Sequence, residues 1–569
     1  MKQNAPLFAF NHGEVSKIAL GRVDIEKLRL AAQCQVNWLP WTVGPMMLRP
    51  GLQFVGEALG DAVTGIVRFV FAKLDTALIE LTPNTMRVYV DDLLVTRNAV
   101  GTTVSDPNFQ TGSGWVTSNT TSGASVQISN GAALTCTPVG GLAQLQQTLA
   151  IAPADRNVEH AIRITVTNGP VTMRIGSAAG LSDLIGQTVL DTGSHSLAFT
   201  PPGAAAVLQI ESTDAWNKTL SAVLIEAAGA MQVPTPWSAS DLPNIRYDQS
   251  GDVIFCASYG LPQRKIERRA AHSWSVTLYR SSNGPFQSAP ALQANFTPSA
   301  YYGNGTLTSD RPYFQSAHVG CLFRLFSNGQ FYQTSLGASN AFTPPVQVSG
   351  VGSSRNYSWT VIGSYGGVLS FQRSFNGPNS GFVDVATGAS GATGAVFSSS
   401  TGGTSGTPDL DNIICWERVG FEGGNYASGN CAVVSSYSGD GGFAIVRCTG
   451  FVSATQINIE ILQPFPSLQA TNAWLEQDWS AVIGYPDSCC FFDGRLFWFG
   501  RDEFWGSESN NFTGYSNQDT QGNDLGDAGA LNEQFGAGPV DTVSWGLGLF
   551  RLLAGREGSI TSIRSNSFD

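Results

Sequence analysis

Residues 160–176 read HAIRITVTNGPVTMRIG. Ile162, Ile164 and Val166 alternate with Arg163, Thr165 and Thr167, and Val171, Met173 and Ile175 alternate with Thr172 and Arg174. A period of two puts successive side chains on opposite faces, so each run is a strand with one face on a core. Asn168, Gly169 and Pro170 separate the runs as a turn. The rhythm continues outward through Leu197 and Phe199, then Ala206, Leu208 and Ile210, with Gly, Pro, Asn or Asp every ten or so residues. That is the spacing of an all-β sandwich, and it predicts that residues 105–230 form one, inserted into a host domain.

The composition of the whole chain agrees. Of 569 residues 64 are Gly and only 13% are charged, against about 25% in ordinary soluble domains, while Trp, Tyr and Phe are abundant. Low charge with many aromatics and glycines favours strands joined by tight turns, and this aromatic content excludes wholesale disorder. The net charge of −12 argues against a protein that holds nucleic acid by neutralising phosphates. The acidity is concentrated: residues 475–569 carry fourteen acidic and five basic side chains. Nine cysteines without a CxxC pair fit buried thiols in a reducing compartment. The first residues lack the apolar run of a signal peptide, and no stretch approaches the ~18 apolar residues of a membrane span.

Elsewhere the runs GIVRFVFAK, ALIELTP and TMRVYVDD near the N-terminus read as strands. So do DVIFCASYG, SWSVTLYRS, FAIVRCTGF, QINIEIL and GRLFWFGRDEFWGS further on. Asp24 predicts one short helix from Ile25 to about Val36 by capping its start. Residues 386–408 are a Gly/Ser/Thr run read as a mobile loop.

Enzyme chemistry is sparse. The five histidines, 12, 160, 195, 272 and 318, stand apart, with no HExxH, nucleophile elbow or phosphate loop. Paired acids occur at Asp91 and Asp92, Asp409 and Asp411, and Asp502 and Glu503, where turn and surface roles are commoner than a glycosidase pair. No enzyme activity, cofactor or metal is expected.

Three longer stretches carry a family resemblance. They are AFNHGEVSKIALGRVDIEKLRLAAQCQVNWLPWTVGPMMLRPGLQFVG (9–56), PWSASDLPNIRYDQSGDVIFCASYGLPQRKIERRAAHSWSV (236–276) and WSAVIGYPDSCCFFDGRLFWFGRDEFWGSESNNFTGY (479–515). In this order they resemble the tail tubular, or nozzle, proteins of short-tailed bacteriophages. The resemblance implies a mainly β virion protein, made in the host cytoplasm, with a platform-like β domain and an irregular β-propeller-like domain. It also implies a homo-hexameric ring below the neck adaptor that lines the DNA exit path and anchors tail fibres or a tail needle. The domains then read as a platform-like α+β segment (1–104), the inserted β-sandwich (105–230), a propeller or platform region (231–474) and a C-terminal propeller-like region (475–569) that lacks a closing element.

The insert in turn resembles a carbohydrate-binding-module jelly roll through NFQTGSGW, IGSAAG, HSLAFTP and VLIEAAG. Its aromatics are Phe109, Trp115, Phe199 and Trp216, with Trp115 expected in the core, so at most weak glycan contact is expected. A glycan-binding adhesin and a virion glycan hydrolase are the alternative functions. Two charge clusters are candidate sites. Arg264, Lys265, Arg268 and Arg269 read as a basic subunit interface, arginine forks being favoured there. Asp502, Glu503, Glu508, Asp519, Asp524, Asp527 and Glu533 are candidates to face a DNA channel. Duplex DNA carries one charge per ~1.7 Å, so a wall that held it tightly would stall its passage. At a Debye length of ~8 Å only acids near the duplex would matter.

Overall fold

The computed structural model describes residues 10–22, 24–41, 46–137, 141–287, 294–326, 330–348, 357–385, 401–406, 413–437, 442–466, 468–518, 524–535, 542–556 and 558–564. The chain is mainly β, and its described helices are single 3-10 turns. It divides into a small unit, Met1–Glu57, and a large one, Ala58–Asp569.

The expected N-terminal helix is corrected in the small unit. Only Glu26–Leu30 is helical, as one 3-10 turn. Asp24 does not cap it, because both its oxygens are taken by Arg22, at 2.8 and 2.6 Å. Beyond Leu30 the backbone turns to a different partner: Ala32 donates to Gly13 O at 3.0 Å and accepts from Val15 at 3.0 Å. That pairing ends any helical ladder before Val36.

The large unit is organised by a nine-stranded antiparallel sheet. Its strands run, in spatial order, Arg246–Ser250, Val253–Ser258, Leu261–Ala270, Ser273–Leu278, Gly193–Phe199, His160–Asn168, Lys218–Ile225, Ala132–Cys136 and Ala124–Ile128. A four-stranded sheet (Ala143–Ala150, Ala205–Ser212, Val171–Gly176, Ile185–Leu190) covers one half of it. Ile162, Ile164, Val166, Met173, Ile175, Leu208 and Ile210 meet in that sandwich core, as their alternation requires. Phe109 and Trp115 are buried in it with ring centroids 4.9 Å apart.

The sandwich does not stand apart, which corrects the expectation of a separate inserted domain. Strand Gly193–Phe199 pairs with Ser273–Leu278, setting Ser196 opposite Trp274 and His195 opposite Ser275. Directly opposed residues share a face. Trp274 and Val276 therefore lie on the face away from the sandwich core, where Gly65–Ala72, Asp75–Thr82 and Thr85–Val90 cover them. The long sheet is thus covered on opposite faces at its two ends. Excising residues 105–230 would strip the partner from Ser273–Leu278 and leave an open sheet edge. The chain enters and leaves the sandwich side by side, Thr96–Arg97 pairing with Gly229–Ala230.

At the crossover sits a buried polar cluster. Glu226 accepts from Arg97 Nε at 2.7 Å, Ser196 Oγ at 2.8 Å and Arg163 Nε at 2.8 Å. On the opposite face of the same strand His195 is fully buried, 2.9 Å from Ser275 Oγ and 2.8 Å from Asp191 O. Burial pulls its pKa from 6.5 down to about 4. The fold therefore holds it neutral, and its contribution to stability is complete above pH 6.5 and lost as pH falls towards 4. We expect wild type to lose about 3 kcal/mol more than His195→Asn over that window. Urea midpoints at pH 7.5 and 4.5 test this; equal losses in both proteins would refute it.

The third element of the scaffold is the four-stranded sheet Ser488–Phe492, Arg495–Gly500, Glu503–Gly506 and Leu531–Gln534. The run Leu496-Phe497-Trp498-Phe499 is apolar throughout because both of its faces are buried. Leu496 and Trp498 pack on Phe255, Ala257 and Tyr279 of the long sheet's segment, and Phe497 and Phe499 on Val543, Leu552 and Ala554.

A further six-stranded sheet joins Phe296–Pro298, Gly303–Ser309, Gln456–Gln463, Phe443–Ser453, Leu322–Phe326 and Trp474–Glu476. The boundary expected at 474 therefore falls inside a strand. Leu322–Phe326 and Phe443–Ser453 are neighbours in this sheet. Between them the chain forms two four-stranded sheets of its own. In one of these Thr401–Gly406 is an edge strand on Tyr357–Gly367, which corrects the reading of 386–408 as a loop throughout. Residues 386–400 and 407–408, with Asp409 and Asp411, lie outside the described residues. Asp91 and Asp92 form the two-residue turn before Leu93, both with positive φ, the geometry of a type I′ hairpin.

Candidate binding cavity

A cavity of about 1000 Å³ lies where the sandwich, the long sheet, the six-stranded sheet and the loop after Gly506 meet. Each part contributes charge from within an apolar strand or its end. QINIEIL and FAIVRCTGF place Glu460 directly opposite Arg447. Arg447 donates to Glu460 at 2.9 Å and to Ser281 O at 2.7 Å. Lys218, almost fully buried, reaches Asp214 at 3.2 Å and Gly169 O at 3.0 Å, with its ammonium 4.7 Å from the Trp216 ring. Burial lowers its pKa, and Asp214 and Glu460 oppose that. Lys265 lies 2.6 Å from both Asp191 and Glu267. Burial alone would lower its pKa, but the two carboxylates outweigh it and raise it.

Arg280 differs. Its Nη1 donates to Asn168 Oδ1 at 2.7 Å, and among the described residues no carboxylate lies within ion-pair distance of it. Burial, then the neighbouring charge of Arg447, lowers its pKa to about 10. Trp216 is half-buried on the cavity wall, whereas Phe109, Trp115 and Phe199 are in the core.

Three of the four residues of the basic cluster expected at an interface are ion-paired within the chain. Arg268 binds Asp75 and lies 3.1 Å from Asp252, Arg269 binds Glu267 at 2.8 Å, and Lys265 holds Asp191. Arg264 is half-buried and its pKa is lowered by burial. These side chains alternate across strand Leu261–Ala270, which separates Arg268 from Lys265 and Glu267; no open basic patch forms.

The acidic candidates are likewise dispersed. Asp502 accepts from Gln534 at 2.7 Å. Glu503 shares Arg501 with Asp478, and burial together with Asp478 raises its pKa to about 7. Glu508 lines the cavity, holding Asn283 at 2.8 Å and Asn511 at 2.7 Å. Asp524, Asp527 and Glu533 are exposed, and Asp519 lies outside the described residues. Sequence reading missed Lys218, Arg280, Arg447 and Glu460. For Arg447 and Glu460 the available signal was a charge inside an apolar strand, which predicts a buried pair or site; Lys218 opens its strand and Arg280 follows one, where no such pattern marks them.

All nine cysteines are free thiols, and all but Cys34 are buried. Among the described residues no cluster of three His, Cys, Asp or Glu side chains could hold a metal ion, and no helix is long and apolar enough to cross a membrane.

Fold and cavity together define a mainly β protein of joined antiparallel sheets with a cavity lined by both apolar and charged side chains at their junction. No protein-family model matches the chain, and no curated protein matches it. Among solved structures it is similar to an oxalate decarboxylase of Bacillus subtilis, at 11% identity over 58% of this chain and 80% of that one, with a TM-score of 0.10. A vicilin of hazelnut, Corylus avellana, is 8% identical over 59% of this chain and 88% of that one, TM-score 0.10. A 7S globulin of Momordica charantia is 9% identical over 58% and 85%, TM-score 0.10. Likenesses of this size carry no argument about fold or chemistry.

Proposed function

We propose that this chain is a non-enzymatic structural subunit of the tail nozzle of a short-tailed bacteriophage. In this reading six copies form a ring below the neck adaptor, hold tail fibres or a needle, and let duplex DNA pass without specific binding. The observation that carries the reading is how two of the three resembling stretches meet. Residues 236–276 and 479–515 are more than 200 residues apart in sequence, yet they build one core. Phe255 and Ala257 pack there with Trp479, Cys489, Trp498, Trp505 and Tyr515. Two of the stretches outside the resemblance, 105–230 and 330–437, leave and rejoin at neighbouring strands. Stretches 236–276 and 479–515 thus share one core, and 105–230 and 330–437 extend from the sheets around it.

The meanders 246–278 and 488–534 are the blade-like units of the propeller reading, and 65–94 is its platform. Of the acidic candidates, exposed Asp524, Asp527 and Glu533 are those free to line a channel. Paired Arg268, Arg269 and Lys265 would present little net charge to DNA.

Electron microscopy of the purified chain and antibody labelling of virions test the proposal. Six-fold rings and label at the tail end are expected. A protein that stays monomeric with the adaptor present, or forms trimeric fibres, would refute it. So would release of reducing ends from host polysaccharide by the pure protein.

A further inference from the structure

We propose that the cavity binds an acidic saccharide, with a sugar carboxylate paired to Arg280 and a ring against Trp216. The proposal stands on the cavity alone and is independent of ring assembly. Lys218, Lys265 and Arg447 are each satisfied by a carboxylate of the chain, at 3.2, 2.6 and 2.9 Å. Arg280 is left as the cation of the wall without one among the described residues, and its recorded hydrogen bond uses one of five donors. A half-buried guanidinium that burial already disfavours gains most from a planar, singly charged acceptor that it can grip with two N–H groups.

The rest of the wall selects the kind of anion. Glu460 and Glu508 lie on the same cavity, so a phosphate dianion or a run of nucleic-acid phosphates would meet about twice or more the repulsion that a single sugar carboxylate meets. Asn376, Asn379, Gln463 and Gln347 offer both donors and acceptors, the pairing that sugar hydroxyls need. Trp216 stands beside this anion position: Asn168, which holds Arg280, also donates to Asn217 O at 2.7 Å. The volume is at the top of the ~300–1000 Å³ range of small-ligand sites, enough for several sugar rings.

The test is calorimetric titration of the full chain with oligosaccharides bearing uronic or sialic acids, and with their neutral counterparts of the same length. Acidic oligomers should bind at least tenfold more tightly than neutral ones and should change tryptophan fluorescence. Arg280→Gln, which keeps a donor for Asn168, should lose at least tenfold, with an unchanged melting temperature. Arg280→Lys keeps the charge without the fork and should fall between, which preserves the test if the glutamine variant misfolds. Trp216→Leu should lose both affinity and the fluorescence change. Equal binding of acidic and neutral sugars, binding indifferent to both Arg280 variants, or no binding by any acidic oligomer would overturn the proposal. So would displacement of the sugar by inorganic phosphate or a short single-stranded DNA at lower concentration.

Discussion

Glu226→Leu should destabilise the large unit by about 3–5 kcal/mol, the cost of removing one partner from a buried ion pair. The carboxylate serves Arg97, Arg163 and Ser196 together, and Arg97 is only 5% exposed. Leucine fills the volume but leaves two guanidinium groups and a hydroxyl facing an apolar group, with no water to replace the carboxylate. Glu226→Gln, which retains one acceptor oxygen, should cost less. Arg97→Met combined with Glu226→Leu should recover part of the loss, because one of the two uncompensated charges, the more buried one, is then gone. Urea midpoints of wild type, Arg97→Met, Glu226→Leu and the double variant form a double-mutant cycle. A loss under about 1 kcal/mol in the leucine variant would show that the cluster is solvated and does not tie the crossover to the sheet.

Trp498→Ala should cost about 3–5 kcal/mol, the range for deleting a buried large aromatic. Trp498 is fully buried, with ring centroids 5.0 Å from Tyr279 and 6.2 Å from Trp479. The cavity left would lie between the long sheet and the sheet Ser488–Leu531 begins, so proteolysis should move into residues 246–278. Phe550→Ser, at a fully exposed position, should stay within about 0.5 kcal/mol. If both variants melt alike, the two sheets do not depend on this contact.

Local alternation was enough for the mainly β class and for most strands. His160–Asn168 and Val171–Gly176 follow period two, because a strand with one buried face writes that face into its own residues; Thr85–Val90 alternates as well, with Arg87 and Tyr89 buried around Glu80 on its second face. The helix at 25–36 was misread because Asp24 had a nearer partner in Arg22, and a cap is decided by which group reaches the carboxylate. The cluster Arg264 to Arg269 looked like a surface because sequence shows charges but not their counterions. Those are Asp75, at the start of another strand, and Asp191 and Asp252, in the links between strands.

The sequence by itself determined most of the strands and their turns. These are properties of a few consecutive side chains. The tertiary structure alone decided that Gly193–Phe199 would pair with Ser273–Leu278, and that Lys218, Arg280, Arg447 and Glu460 would share one cavity wall. Backbone groups pair with any strand edge that is brought near, and a buried charge accepts a counterion from any position in the chain. Both choices depend on how whole sheets pack, and no local pattern records that.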